Sequence, residues 1–231
     1  MELAPQKQKK NRTNKSYHMS TEKQDSIIQT PERLHRITDI VFAVSMVLFI
    51  ISGMLTFNNA DFWADYDLDP EAFVLARASE LFTAFLVFLF MALYWYTNAN
   101  QSKYIVKVDN TYTWINIFYL FFIALAPYPN ALSMQFGSDF YVQLFFNLDM
   151  FFIGLFGFLG WFYASRNHRL IYKEVTKGQI KATNGEMTVE PLVAVLATVV
   201  TFINGAYWEL SLLLLPVGII ILAVISRKAK R

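Results

Sequence analysis

Cysteine is absent from this 231-residue chain, which removes disulfides, thiolate metal sites and thiol nucleophiles at once. Histidine occurs only as His18, His35 and His168. None lies deep in an apolar run, so a bis-histidine haem or zinc site inside a bilayer has no ligands. Charge is equally sparse: Asp, Glu, Lys and Arg supply 16% of residues, against roughly 25% in ordinary soluble domains. The net charge of +2 is too small to argue for a nucleic-acid partner. No HExxH, GxSxG, P-loop or glycine-rich dinucleotide motif occurs, and each of those carries its chemistry through a fixed spacing. The sequence therefore marks no catalytic residue, no resident metal and no cofactor, and an enzyme is not expected.

What the chain has instead is apolar length. Hydrophobic residues make up 55% of it and aromatics 17%, and long apolar stretches recur at the length needed to cross a hydrocarbon core of roughly 30 Å. The pattern predicts an all-α, multi-pass membrane protein with six spans, at about 34–57, 73–98, 112–132, 140–165, 191–203 and 210–226. Residues 1–30 form a basic, polar leader of disordered composition, residues 31–228 the six-span domain, and 229–231 a basic tail. The first 27 residues hold no apolar core of a cleavable signal. The last two spans read as a hairpin turned at Asn204-Gly205, and only about 15 apolar residues precede that turn.

Charge sets the orientation. Of the 20 basic residues, all but Arg77 fall in the stretch up to Arg36, in the loops after spans two and four, or in the C-terminal stretch from Arg227. The opposite loops carry Asp61, Asp65, Asp67, Asp69, Glu71, Asp139 and Glu209. By the positive-inside rule both termini are cytoplasmic, and the partition supports an even number of spans independently of hydropathy.

Within the spans, polar groups are few and therefore informative. Asp39 lies at the mouth of span one beside Arg33, His35 and Arg36, and an ionisable group at that depth marks a functional site or a lock between helices. Its local partners would be Arg36, three residues before, or His35, four before. Thr38, Ser45 and Ser52 recur every seven residues, nearly on one stripe, suited to close packing or to a lightly polar face beside a water path. Val44, Leu48 and Ile51 form a second stripe, which gives hydrophobic constrictions if identical helices surround an axis. Periodicity does not choose between the two. Asp149, in span four, is the other acid well inside a span, with no partner identifiable from sequence. Gly154, Gly157 and Gly160 keep small residues on one broad face of that span, which suggests close helix packing. The 22 Phe and 12 Tyr are scattered as lipid-facing and interfacial residues are.

These residues carry a resemblance. Glu32-Arg33-Leu34 followed by Ile37-Thr38-Asp39 and Val41-Phe42-Ala43-Val44 resembles the Arg-x-x-x-Phe-Ser-Asp signature that opens the first helix of the transmembrane protein 175 family. Those are the lysosomal-type potassium channels and their prokaryotic homologues. Trp95 is similar to the Trp of the family's Trp-x-x-His, and Asp109-Asn110-Thr111 with Trp114 and Asn116 resembles the start of its third helix. Leu125-Ala126-Pro127-Tyr128-Pro129 is similar to the exit from that helix. The likeness runs over about residues 30 to 228.

The resemblance implies a homotetramer of six-span subunits in which four copies of the first helix line a central cation path. It puts the apolar rings at Val44, Leu48 and Ile51. It makes Arg33, Thr38 and Asp39, with Trp95 and Asn98, a polar network that locks the cytoplasmic helix ends. The permeating species is K⁺, and the partners are other copies of the chain, monovalent cations and the lipid bilayer, with the plasma membrane of a prokaryote as the setting. The chain departs from the pattern at Ile37, Thr38, Ile40 and Ser45, at Asn98 in place of His, and at Val47. The family often has Thr at that last position, eight residues after the Asp, where it contributes to potassium selectivity. Four Val in place of four Thr remove hydroxyl oxygens that replace an ion's water, and Ser45 or Ser52 would compensate only on a rotated helix. The expectation is a potassium-permeable cation channel of modest selectivity. A secondary transporter, which would need a midplane site and broken helices, is the alternative, and a non-conducting structural protein would be equally apolar.

Overall fold

The computed structural model describes residues 31–55, 85, 88–136 and 139–228, and all of the described secondary structure is helical apart from one isolated bridge. The leader, the acidic loop with Arg77, the first half of the expected second span and the tail 229–231 lie outside the described residues.

Helix α1, Pro31–Leu55, opens on a proline, whose missing N–H is no loss in a first turn. Glu32 follows it, where a carboxylate favours the helix dipole. Helix α2 covers 88–102. Asp109 then caps α3, Asn110–Leu125, by accepting the Tyr112 amide at 2.9 Å. Helix α4, Pro127–Phe136, continues α3 across Ala126. Pro127 and Pro129 cannot donate to the carbonyls four residues before them, so the helix breaks there. Asp139 caps α5, Phe140–Ser165, through the amides of Tyr141 and Val142 at 2.9 and 3.1 Å. At 1.5 Å per residue α5 is about 39 Å long, enough to cross a bilayer.

The next helix differs from the sequence expectation. Helix α6, Lys177–Asn204, begins well before Pro191, where the fifth span was expected to start. Thr176 and Gln179 form a reciprocal capping box at its N-terminus, with Thr176 Oγ1 accepting the Gln179 amide at 3.2 Å and Gln179 Oε1 accepting the Thr176 amide at 2.8 Å. That local signal nucleates the helix outside the apolar run. Pro191 is carried inside α6 because helical neighbours stabilise a broken ladder at membrane depth. The turn at Asn204-Gly205 is present, with Asn204 Oδ1 accepting the Ala206 amide at 3.1 Å. A 3₁₀ turn, Gly205–Tyr207, leads into the short α7, Trp208–Leu212, and then α8, Leu214–Lys228.

Among the described residues four stretches are long and apolar enough to span a membrane: Pro31–Ile51, Asn110–Ser133, Phe140–His168 and Lys177–Leu212. Helix α5 is the hub, packing against α3, α4 and α6, while α1 rests on α3 and α4 and α8 rests on α6. One core, with Leu34, Tyr112, Trp161 and Ile171, seals the end that carries the basic loop. A second, with Phe42, Phe49, Met91, Tyr119 and Ile153, fills the middle, and a third joins Met150, Val193, Ala194 and Leu215.

Candidate permeation face and helix lock

Helix α1 resolves into two faces. Leu34, Thr38, Phe42, Ser45 and Phe49 are all buried, at steps of four, four, three and four, the spacing of one helix face. They pack into the protomer, with Phe42 tilted against Tyr119 at 6.1 Å between ring centroids. On the opposite side Val44 is 52% exposed, Val47 54%, Leu48 41% and Ile51 40%. Ile37 and Ile40 extend this outward stripe towards the helix start.

The structure thus separates the two stripes that periodicity left equivalent. Thr38 and Ser45 belong to the packing face. Ser45 is 0% exposed, so its expected place among the pore-lining residues is corrected: it points into its own helix bundle, away from Val44 and Leu48. Its hydroxyl is buried with no hydrogen-bond partner among the described residues. It therefore offers no oxygen to an ion on the outward face.

The expected polar network is only partly assembled within one protomer. Trp95 Nε1 of α2 donates to Asp39 Oδ1 of α1 at 2.9 Å, tying the two helices across 56 residues of sequence. The local partners considered for Asp39 are otherwise disposed. Arg36 reaches back to Glu32 at 3.9 Å with both side chains exposed, a geometry worth little, and His35 Nε2 is buried without a hydrogen-bond partner among the described residues. Thr38 Oγ1 donates to the Leu34 carbonyl at 2.9 Å, within its own helix. Asn98 Oδ1 accepts from Ser102 at 3.3 Å, and Asn98 also lies against Tyr119 of α3. Arg33 is exposed and takes part in none of these bonds. Trp95→Phe keeps the ring and removes the donor to a charged acceptor. It is expected to lower stability by about 1 kcal/mol, the low end for such bonds because the site is exposed; a shift in the thermal midpoint of detergent-solubilised protein checks this.

A second set of polar contacts, within the α5–α6–α7 hairpin, went unnoticed in the sequence. Trp208 Nε1 donates to Asn147 Oδ1 at 2.8 Å, Asn147 Nδ2 donates to Thr201 Oγ1 at 3.1 Å, and Gln143 Nε2 donates to the Gly205 carbonyl at 3.1 Å. All four side chains are buried. The partners of Asn147 lie more than 50 residues away in sequence, which no local pattern reveals. Glu190 is the other unforeseen member. It faces Tyr94, Tyr119 and Asp149, so Asp149 has an acidic neighbour rather than a cationic one. Asp149 Oδ1 and Glu190 Oε1 are buried without a hydrogen-bond partner among the described residues. Among the described residues no group of His, Asp and Glu is arranged to hold a metal ion.

Long apolar helices, buried inter-helix amide contacts and an outward apolar stripe define a polytopic helical membrane protein. Residues 33–127 match the family model described as endosomal/lysosomal potassium channel TMEM175. Two solved structures are similar in fold. A lysosomal potassium-selective channel TMEM175 homologue from Chamaesiphon minutus has a TM-score of 0.64 at 16% identity, over 85% of this chain and 97% of the other. A variant of the potassium channel MtTMEM175, crystallised with a nanobody fusion, has a TM-score of 0.54 at 18% identity, over 89% of this chain and 96% of the other. No curated protein matches the sequence.

Proposed function

We propose that the chain is a potassium-permeable cation channel of modest selectivity, built from four six-span copies whose α1 helices line the conduction path. The observation that carries this reading is the outward stripe of α1. Val44, Leu48 and Ile51 are spaced for one face and turn away from a fully packed opposite face. Four such faces around an axis form stacked apolar rings that gate by dewetting. The family-model match over residues 33–127 and the likeness in fold to two potassium channels support the same reading.

In this assembly Val44, Leu48 and Ile51 are the constrictions and Val47 stands beside them. Asp39 with Trp95 orients α1, with Thr38 and Asn98 bonded locally and Arg33 free to reach a neighbouring copy. The acid is then a lock that does not touch the ion. Arg33, Arg36 and the basic loops lie on the cytoplasmic side with both termini, in a prokaryotic plasma membrane. The leader 1–30 and the tail 229–231 flank a channel domain of residues 31–228.

The test is reconstitution into liposomes with cation flux driven by a potassium gradient, joined to the mass of the assembly in detergent. Flux without saturation and a mass of four 26.7 kDa subunits support a channel. A monomer, or slow saturable uptake coupled stoichiometrically to protons or sodium, overturns it in favour of a transporter. Val47→Thr is expected to raise the preference for K⁺ over Na⁺ about fivefold. That is the effect of about 1 kcal/mol, one net hydrogen bond's worth of oxygen contact. Reversal potentials under mixed K⁺ and Na⁺ gradients measure it.

A further inference from the structure

At the end of α5 the backbone does something costly. Asn167 and His168 both hold left-handed backbone angles, with φ of 55° and 53°. For residues with a side chain this costs of order 1 kcal/mol or more each and persists only where the surroundings over-determine it. They do so here. The Leu170 amide donates to the Ala164 carbonyl at 3.0 Å, the Val106 amide to the Leu170 carbonyl at 2.8 Å, and the Tyr172 amide to the Tyr104 carbonyl at 3.1 Å. Ile105 and Ile171 pair as an antiparallel bridge, and His168 Nε2 lies 2.9 Å from the Val175 carbonyl.

This turn sets Arg166 and Arg169 on the wall of one cavity of about 530 Å³, with Tyr163 and Asn167. Arg169 is held rather than loose. Its guanidinium carbon sits 4.6 Å from the centre of the Tyr163 ring, and Nη2 is 3.3 Å from Asp109 Oδ2. Asp109 is occupied elsewhere too: Oδ2 accepts the Tyr163 hydroxyl at 2.7 Å and Oδ1 the Tyr112 amide at 2.9 Å. One contact to Asp109 leaves most of the five Arg169 donors free. Arg166 is exposed and makes no ion pair with a described residue. Two guanidinium groups against one carboxylate leave the cavity cationic, and planar donor forks suit a phosphate. The one aromatic side chain on its wall is Tyr163, of a residue type enriched where spans leave the hydrocarbon.

We propose that this cavity binds the phosphate of an anionic phospholipid headgroup, with Arg166 and Arg169 as its donors. The chemistry is that of a phosphate ester, and a soluble phosphate is the competing source. The position decides for lipid: the cavity lies at the end of a helix long and apolar enough to span a membrane, with Tyr163 on its wall. The proposal rests on the chain's being a membrane protein and is independent of the pore assignment.

The experiment is native mass spectrometry of the full chain extracted from phosphatidylcholine nanodiscs doped with phosphatidylglycerol. Thermal midpoints are recorded in the same discs with and without phosphatidylglycerol. Wild type is expected to retain phosphatidylglycerol over phosphatidylcholine and to gain stability from it. Arg166→Gln, which breaks no ion pair, should lose about fivefold in retention. That is the factor implied by about 1 kcal/mol per basic residue at an anionic surface. Lys173→Gln, in the same loop but outside the cavity, should retain lipid as wild type does. Equal retention by wild type and Arg166→Gln overturns the proposal, as does equal loss in Lys173→Gln. Stabilisation by inorganic phosphate alone, matching that by phosphatidylglycerol, overturns the lipid assignment. Flux in pure phosphatidylcholine liposomes reports on the pore separately.

Discussion

Leu48→Asn is expected to raise cation flux into liposomes by about tenfold or more, with Val44→Asn acting in the same direction. The inner face of α1 is fully committed to its own protomer through Leu34, Thr38, Phe42, Ser45 and Phe49. The helix therefore cannot rotate to hide Leu48 without tearing out that packing. In a four-copy assembly each substitution appears four times around the path. An apolar ring opposes ions because it offers nothing to replace the water they shed, and a carboxamide offers both an oxygen and a donor. One net hydrogen bond is worth about 1 kcal/mol, and about 1.4 kcal/mol off a barrier is a tenfold rate. A gain at only part of the ring therefore suffices. Leu196→Asn is the control, since Leu196 is also half exposed but on α6, and its flux should match wild type. Folded Leu48→Asn and Val44→Asn proteins that both conduct like wild type would remove Val44 and Leu48 from the path.

The class of protein was legible in the sequence, because apolar length and the scarcity of charge are properties of composition that tertiary structure does not rearrange. The role of individual residues was less so. Thr38/Ser45 and Val44/Leu48/Ile51 are equally regular stripes, and only the presence of Tyr119, Met91 and Ile153 beside Phe42 and Phe49 decides which faces inward. Ser45 was misread for that reason. The start of α6 was hidden by a different cause. Lys177 to Glu190 is too polar to register as a span, and Pro191 reads as a boundary, yet the Thr176–Gln179 box starts the helix and α5 carries the break. Glu190 stands just outside the expected fifth span, so hydropathy does not single it out as a neighbour of Asp149. The Asp39–Trp95 bond was accessible only through resemblance, since 56 residues separate the pair and no periodicity connects them.

The glycines of α5 show how far a spacing can be pushed, and one of them carries a stability effect that the other two do not. Gly154, Gly157 and Gly160 look alike in the sequence, one every three residues. Their surroundings differ. A Cβ on Gly154 would lie 2.6 Å from Pro191 Cδ, 2.7 Å from the Pro191 nitrogen and 2.9 Å from Glu190 Cγ. Two of those atoms belong to a proline ring fixed in the α6 backbone, so they cannot swing aside. A Cβ on Gly157 would find Tyr119 Cε2 at 3.4 Å, and one on Gly160 would find Ile115 Cγ2 at 3.6 Å, both ordinary contacts. Gly154 thus lets α5 approach the broken stretch of α6, whereas the other two face α3. Forcing a methyl group into a closed interface costs about 1–3 kcal/mol, and replacing Gly by Ala in a helix returns at most about 1 kcal/mol. Gly154→Ala should therefore be destabilised by about 1–2 kcal/mol, while Gly157→Ala and Gly160→Ala should unfold at or above the wild-type midpoint. Thermal or denaturant unfolding of the three variants in one detergent makes the comparison. If Gly154→Ala proves as stable as its two neighbours, the close approach of α5 to Pro191 is not part of the native packing.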